Sequence, residues 1–124
     1  LLATCADITG EELPEDAGED SISILPAFLG EEPARDPSRE AVIHHSGSGM
    51  FAIRSGKWKL IMGLGSGGFT EPKYEEPEPG GPKGQLYNME QDPGEANNLW
   101  NERPEVVNSL KKVLNKYKQE GRSR

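Results

Sequence analysis

His44 and His45 stand side by side in the run His-His-Ser-Gly-Ser-Gly and are the only histidines of the chain. Imidazoles beside hydroxyls and glycines are a grouping that can act as acid, base, metal ligand or anion contact. On a strand, neighbouring side chains point to opposite faces, so the pair is poorly placed to share one metal ion. No Cys/His/Asp cluster stands near them in sequence to complete a metal site. What remains is one histidine facing a substrate, weighed against a plain turn between strands. Ser46 and Ser48 lack the Gly-x-Ser-x-Gly elbow of a serine hydrolase. Gly63 to Gly68 satisfies Gly-x-Gly-x-x-Gly, but the Phe-Thr-Glu-Pro that follows cannot open the helix a dinucleotide loop requires. Ser55-Gly56-Lys57-Trp58 is no phosphate loop either, because Trp58 follows the lysine and Phe51 occupies the first glycine position.

These residues need elements to position them. Met50 to Arg54 and Lys57 to Met62 alternate, with Phe51 and Ile53 on one face and Trp58, Leu60 and Met62 likewise. Ser55-Gly56 between them signals a hairpin turn. Strands are predicted over 41–46, 50–55, 57–62 and 84–88, the last including Leu86 and Tyr87. Residues 63–84, rich in Gly, Pro and Glu, are predicted to be a long mobile loop. Pro104 suits a first helical position, and Val106, Leu110, Val113, Leu114 and Tyr117 make one apolar stripe, so a helix is predicted over 104–119. Trp58 and Trp100 read as core anchors.

Upstream, Leu1, Cys5 and Ile8 fit one helical face, and Gly10 fits the position just past a helix end. No capping residue precedes them, so the expectation is the last turns of a helix that begins earlier in a longer chain. Cys5 on that stripe is expected to be a buried, inert thiol. As the one cysteine, it leaves no internal disulfide. Ile22 to Leu29 is expected to give one or two helical turns packed on a larger body. The expected division is residues 1–40, the tail of a larger domain's helix with connecting loops, and residues 41–124, a C-terminal subdomain. The fold class is α+β: a small antiparallel sheet of three to four strands with the long C-terminal helix on one face.

Charge narrows the function further. The net charge is −7, which argues against nucleic acid as a partner. No apolar run is long enough to span a membrane. Residues 1–40 carry eleven Asp/Glu against Arg35 and Arg39, while the segment from Lys111 onward is basic. An acidic arm and a basic helix would suit a standalone, non-catalytic interaction module, which is the alternative reading. The basic helix end is also explained by its dipole alone.

The order of the pieces resembles the C-terminal portion of the arylsulfatase-type sulfatases. The residues that carry the resemblance are the Leu1–Gly10 helix end, Ser23-Ile24-Leu25-Pro26, Arg54 to Ile61 and Leu86 to Leu99. The last of these holds Asp92-Pro93-Gly94-Glu95 and then Asn98-Leu99. Met89 departs from the usual leucine. The resemblance implies a parent that is a sulfuric ester hydrolase with a formylglycine nucleophile, a calcium ion and a sulfate-ester substrate. These belong to a larger N-terminal catalytic domain, which would be the partner of this chain. Formylglycine arises from Cys or Ser in Cys-x-Pro-Ser-Arg. Arg35 to Arg39 mimics only the end of that motif, and Cys5 is followed by Ala-Asp-Ile. No catalytic or metal-binding residue is therefore carried over, and the fragment alone is expected to be inactive. The resemblance leaves His44 and His45 as candidate substrate contacts bordering a cleft. It fits a periplasmic or secreted setting. Apolar surface left by a lost partner domain is expected to allow self-association.

Overall fold

The computed structural model describes residues 1–31 and 40–121. The Arg35–Arg39 run lies outside the described residues. The chain divides into two compact units, Leu1–Glu40 with Tyr117–Arg124 and Ala41–Lys116.

In the second unit the alternating apolar pattern produces four strands: β1 (Val42–His45), β2 (Phe51–Ser55), β3 (Trp58–Ile61) and β4 (Gln85–Asn88). They form one antiparallel meander in the order β1-β2-β3-β4. Register fixes which side chains share a face. Ile43, Ile53, Leu60 and Leu86 lie opposite one another across the four strands. Ile53, Leu60 and Leu86 are fully buried, so this row is the floor of the core. On the other face runs His44-Ala52-Ile61-Gln85, beside Val42-Arg54-Lys59-Tyr87. Gly56 (φ 54°) leads the two-residue turn between β2 and β3, where a II′ hairpin places glycine.

The long helix, Pro104–Glu120 (here α3, following two short helices in the first unit), buries Val107, Leu110 and Leu114. Its spacing of 3 and 4 matches the expected stripe, but Val107 rather than Val106 is the buried member. Ser55 and Trp58 line a groove with Glu105, Val106, Ser109 and Leu110, so the helix lies over the sheet face that carries Trp58 and Leu60. Trp58 and Trp100 are half-buried. Lys111 lies with its ammonium 4.4 Å from the centre of the Trp100 ring, a cation–π contact.

The first unit holds α1 (Leu2–Thr9) and the short α2 (Leu25–Phe28). Gly10 ends α1 in the left-handed conformation, and Glu11 N–H donates to the Ala6 carbonyl at 2.9 Å in Schellman fashion. Thr4 is buried and its hydroxyl accepts the Ile24 N–H at 3.1 Å, while Ser21 Oγ accepts the Ala3 N–H at 2.9 Å. These bonds turn the Thr4/Ala6 side of α1 inward. The expected apolar stripe therefore faces out: Leu1, Cys5 and Ile8 are all exposed. The expectation of a buried Cys5 thiol is corrected accordingly. Helix periodicity located the stripe correctly, but within this unit the small and hydroxyl-bearing face is the one that packs. Phe28 and Leu29 of the second apolar segment are also exposed.

Among the described residues no helix is long and apolar enough to cross a membrane.

Candidate functional site

The structure separates the two histidines. His44 pairs with Ala52 and His45 with Phe51, so their side chains leave the sheet on opposite faces. Both are exposed. The His45 ring lies 5.7 Å from the Phe51 ring, and its Nδ1 is 2.9 Å from the Ser46 carbonyl oxygen. A carbonyl can only accept, so in this contact Nδ1 is the donor. His44 shares its face with Gln85, but three strand spacings away, about 14 Å at the usual inter-strand distance.

What comes together with His45 is the serine turn and the glycine loop. Ser46 N–H donates to Met50 O at 3.0 Å and Gly49 N–H to Ser46 O at 2.9 Å, closing the turn from β1 to β2. Ser46 Oγ accepts the Met50 N–H at 3.1 Å and lies 2.8 Å from Ser48 Oγ. Ser48 Oγ in turn donates to the Gly67 carbonyl at 3.0 Å. The Met50 side chain fills the space beside Gly63 and Gly67: a Cβ at Gly63 would come within 2.7 Å of Met50 Cε. Two glycines of the Gly-x-Gly-x-x-Gly run are thus required by close packing, Gly63 against Met50 and Gly65 against the backbone of Pro72 and Lys73. Sequence reasoning placed both runs and missed that they dock on each other. Glycines at 63 and 67 opposite a long flexible methionine were the available signal.

The loop itself is not open coil. Ser66 N–H donates to Pro72 O and Gly67 N–H to Lys73 O, each at 2.9 Å, and Ser66 Oγ donates to Thr70 O at 2.5 Å. Its base is tied to β4 by Gln85 Nε2, which donates to the carbonyls of Gly63 and Gly65 at 2.9 Å. A cavity of about 340 Å³ opens beside it, lined among others by Ser66, Glu71, Glu75, Gln85 and Tyr87. The Tyr87 hydroxyl donates to Gln85 Oε1 at 2.7 Å, and burial, with Glu95 and Asp92 nearby, pushes its pKa upward.

The Asp92–Leu99 run is a clasp between β4 and α3. The Asp92 carboxylate accepts the N–H of Ala96 at 3.0 Å and of Asn97 at 2.8 Å. Asn98 Oδ1 accepts the N–H of both Leu86 and Trp100, and its Nδ2 donates to Gly84 O. Lys59 on β3 forms an ion pair with Glu95. The two N–H donors, Ala96 first, hold the Asp92 carboxyl below the usual carboxylate range. A lowered folded-state pKa contributes stability above the unfolded value, and that stability is lost as pH falls through the lowered one. Urea midpoints measured against pH should show wild type losing stability more steeply than Asp92→Asn below about pH 4. Parallel curves for the two proteins would contradict this role.

Among the described residues no group of three or more His, Cys, Asp or Glu is placed to hold a metal ion. Cys5 is followed by Ala6, Asp7 and Ile8. The calcium and formylglycine implied by the resemblance therefore do not fit the described part of this chain.

No protein-family model matches the chain. It is 32% identical over 119 residues to the N-acetylgalactosamine-6-O-sulfatase of Bacteroides thetaiotaomicron, a match covering 95% of this chain and 22% of that protein. A solved structure from a Bacteroides thetaiotaomicron locus for metabolism of multiple glycosaminoglycans superimposes with a TM-score of 0.74. It is 31% identical and the match covers 96% of this chain and 24% of the other. A second structure, solved in complex with its substrate D-glucosamine-2-N,6-O-disulfate, has a TM-score of 0.64 at 24% identity, over 94% of this chain and 22% of its own length, and shares the fold. The chain spans about a quarter or less of the length of the relatives it matches.

Proposed function

We propose that this chain is the C-terminal subdomain of a sulfuric ester hydrolase, since it matches a sulfatase along nearly its whole length and only a minor part of that relative's length. In this reading it supports the fold and borders the substrate cleft, while the reacting groups lie in an N-terminal catalytic domain. The observation that carries the reading is the joint match of sequence and backbone along nearly the whole chain. The calcium and the formylglycine belong to that other domain, where formylglycine supplies the nucleophile for the sulfate ester. The substrate class is a sulfated amino sugar, by analogy with the relative that acts on an N-acetylgalactosamine 6-O-sulfate.

His44 and His45 are the residues of this chain offered to that substrate. His45 is the stronger of the two, since it adjoins the turn that Ser48 fastens to the glycine loop. In the full-length protein, replacing both by Ala should raise KM for a sulfated hexosamine several-fold, on the order of one or two lost hydrogen bonds. Unchanged kinetics across sulfated substrates would remove the histidines from the site.

The exposed face of α1, with Leu1 and Ile8, is the surface the catalytic domain would cover. Left bare, it gives copies of the isolated chain a route to self-association. Sedimentation should show mass rising with concentration, and Ile8→Ser should suppress the rise. A chain that stays monomeric at high concentration would contradict this.

A further inference from the structure

The sulfur of Met50 lies at the junction between the β1–β2 turn and the glycine loop. A Cβ on Gly63 would come within 3.1 Å of Met50 Sδ, and one on Gly67 within 3.0 Å. The thioether is therefore seated against two glycines of the same loop. An atom added to either glycine would meet the sulfur, so an atom added to the sulfur on that side meets the glycine. The hydroxyl hydrogens at this junction are already used. Ser48 Oγ donates to the Gly67 carbonyl, which leaves Ser46 as the donor in the 2.8 Å contact between the two serines. A polar oxygen on the Met50 sulfur would have to take one of these hydrogens or turn out to water. Either course weakens the docking of the loop. Met50 is half-buried, so its side chain is within reach of a small oxidant.

We propose that Met50 is an oxidation-sensitive latch, whose conversion to the sulfoxide by a peroxide releases residues 66–73 from the β1–β2 turn. The O–O bond of hydrogen peroxide breaks as the S–O bond forms; the sulfur is oxidised and the peroxide is reduced to water. The product is polar where the thioether was an apolar filler. Gln85 still holds the carbonyls of Gly63 and Gly65, so the base of the loop stays on β4 while its far part opens. The latch is independent of the sulfatase reading, because every group in it belongs to this chain.

The test treats the 124-residue chain with hydrogen peroxide, in a Cys5→Ser background that removes the exposed thiol. Mass spectrometry locates the sulfoxides, and amide exchange is followed at Ser66 and Gly67, whose N–H groups bond Pro72 and Lys73 in the docked loop. Oxidation at Met50 should speed that exchange about tenfold, the scale of an extra atom forced into a packed contact. A methionine sulfoxide reductase should restore the slow rate. Met50→Leu nearly conserves the volume and has no sulfur, so its exchange should be slow before and after peroxide. Exposed Met62, next to Gly63, is the internal standard for oxidation. Unchanged exchange in protein oxidised at Met50 overturns the proposal, as does a Met50 that stays reduced once Met62 has been converted. Equal acceleration in Met50→Leu after peroxide would also overturn it, by placing the effect at another residue.

Discussion

Replacing Asn98 by Ala should destabilise the chain by about 2–3 kcal/mol, the sum expected when several part-buried hydrogen bonds are lost together. One side chain satisfies the N–H groups of Leu86 and Trp100 and the carbonyl of Gly84. Alanine removes all three partners and leaves the backbone of β4 and the start of the return segment unpaired. The same join carries the Leu99 N–H to Leu86 carbonyl bond at 2.8 Å. It also seats Trp100 against buried Gly84, where any added Cβ would collide with the indole. Asn98→Ala should therefore loosen Trp100 and the start of α3 together. For a domain of this size the fall in Tm is on the order of 10 °C. Asn97→Ala is the control: its backbone N–H still reaches Asp92, so the cost should be within about 0.5 kcal/mol. Denaturant midpoints for the two variants decide the matter, and equal midpoints would show that the clasp is not held by Asn98.

Much of this architecture is legible in the sequence because its signals are local. Alternation in Phe51–Ser55 and Trp58–Ile61 marks a hairpin whatever surrounds it, and register then brings Ile43 and Leu86 onto the same face. The Asp92 turn is equally local, since an aspartate beside Pro-Gly bonds the N–H groups that follow it. The α3 stripe was readable to within one residue. Val106 and Val107 are chemically identical, so composition does not choose between them; Val107 lies three and seven residues before Leu110 and Leu114 and shares their buried face.

The rest depends on approach between distant segments. Residues 63–84 looked mobile because Gly and Pro exclude a strand. The bonds that order the loop are made within its own turns, by Gln85 and by Ser48, which no propensity encodes. Cys5 looked buried because apolar stripes usually are. Its exposure follows from Thr4 taking the inward position through the Ile24 N–H. The histidines were readable as a pair on opposite faces. Their neighbours were not, because Ser48 meets Gly67 across nineteen positions of sequence.

The second large effect concerns activity. A sulfatase needs an activated nucleophile and a charged site for the sulfate, and this chain offers neither the Cys-x-Pro-Ser-Arg context nor, among its described residues, a metal-ligating cluster. Supplying substrate contacts without the reacting group lowers no barrier, because only interactions made in the transition state accelerate the step. The most direct test of the proposed function is sulfate-ester hydrolysis, measured side by side for the 124-residue chain alone and for the chain joined to the N-terminal catalytic domain that the proposal requires. The account predicts turnover of a sulfated hexosamine by the joined protein and none above the uncatalysed rate by the chain alone. Robust hydrolysis by the isolated chain would contradict it.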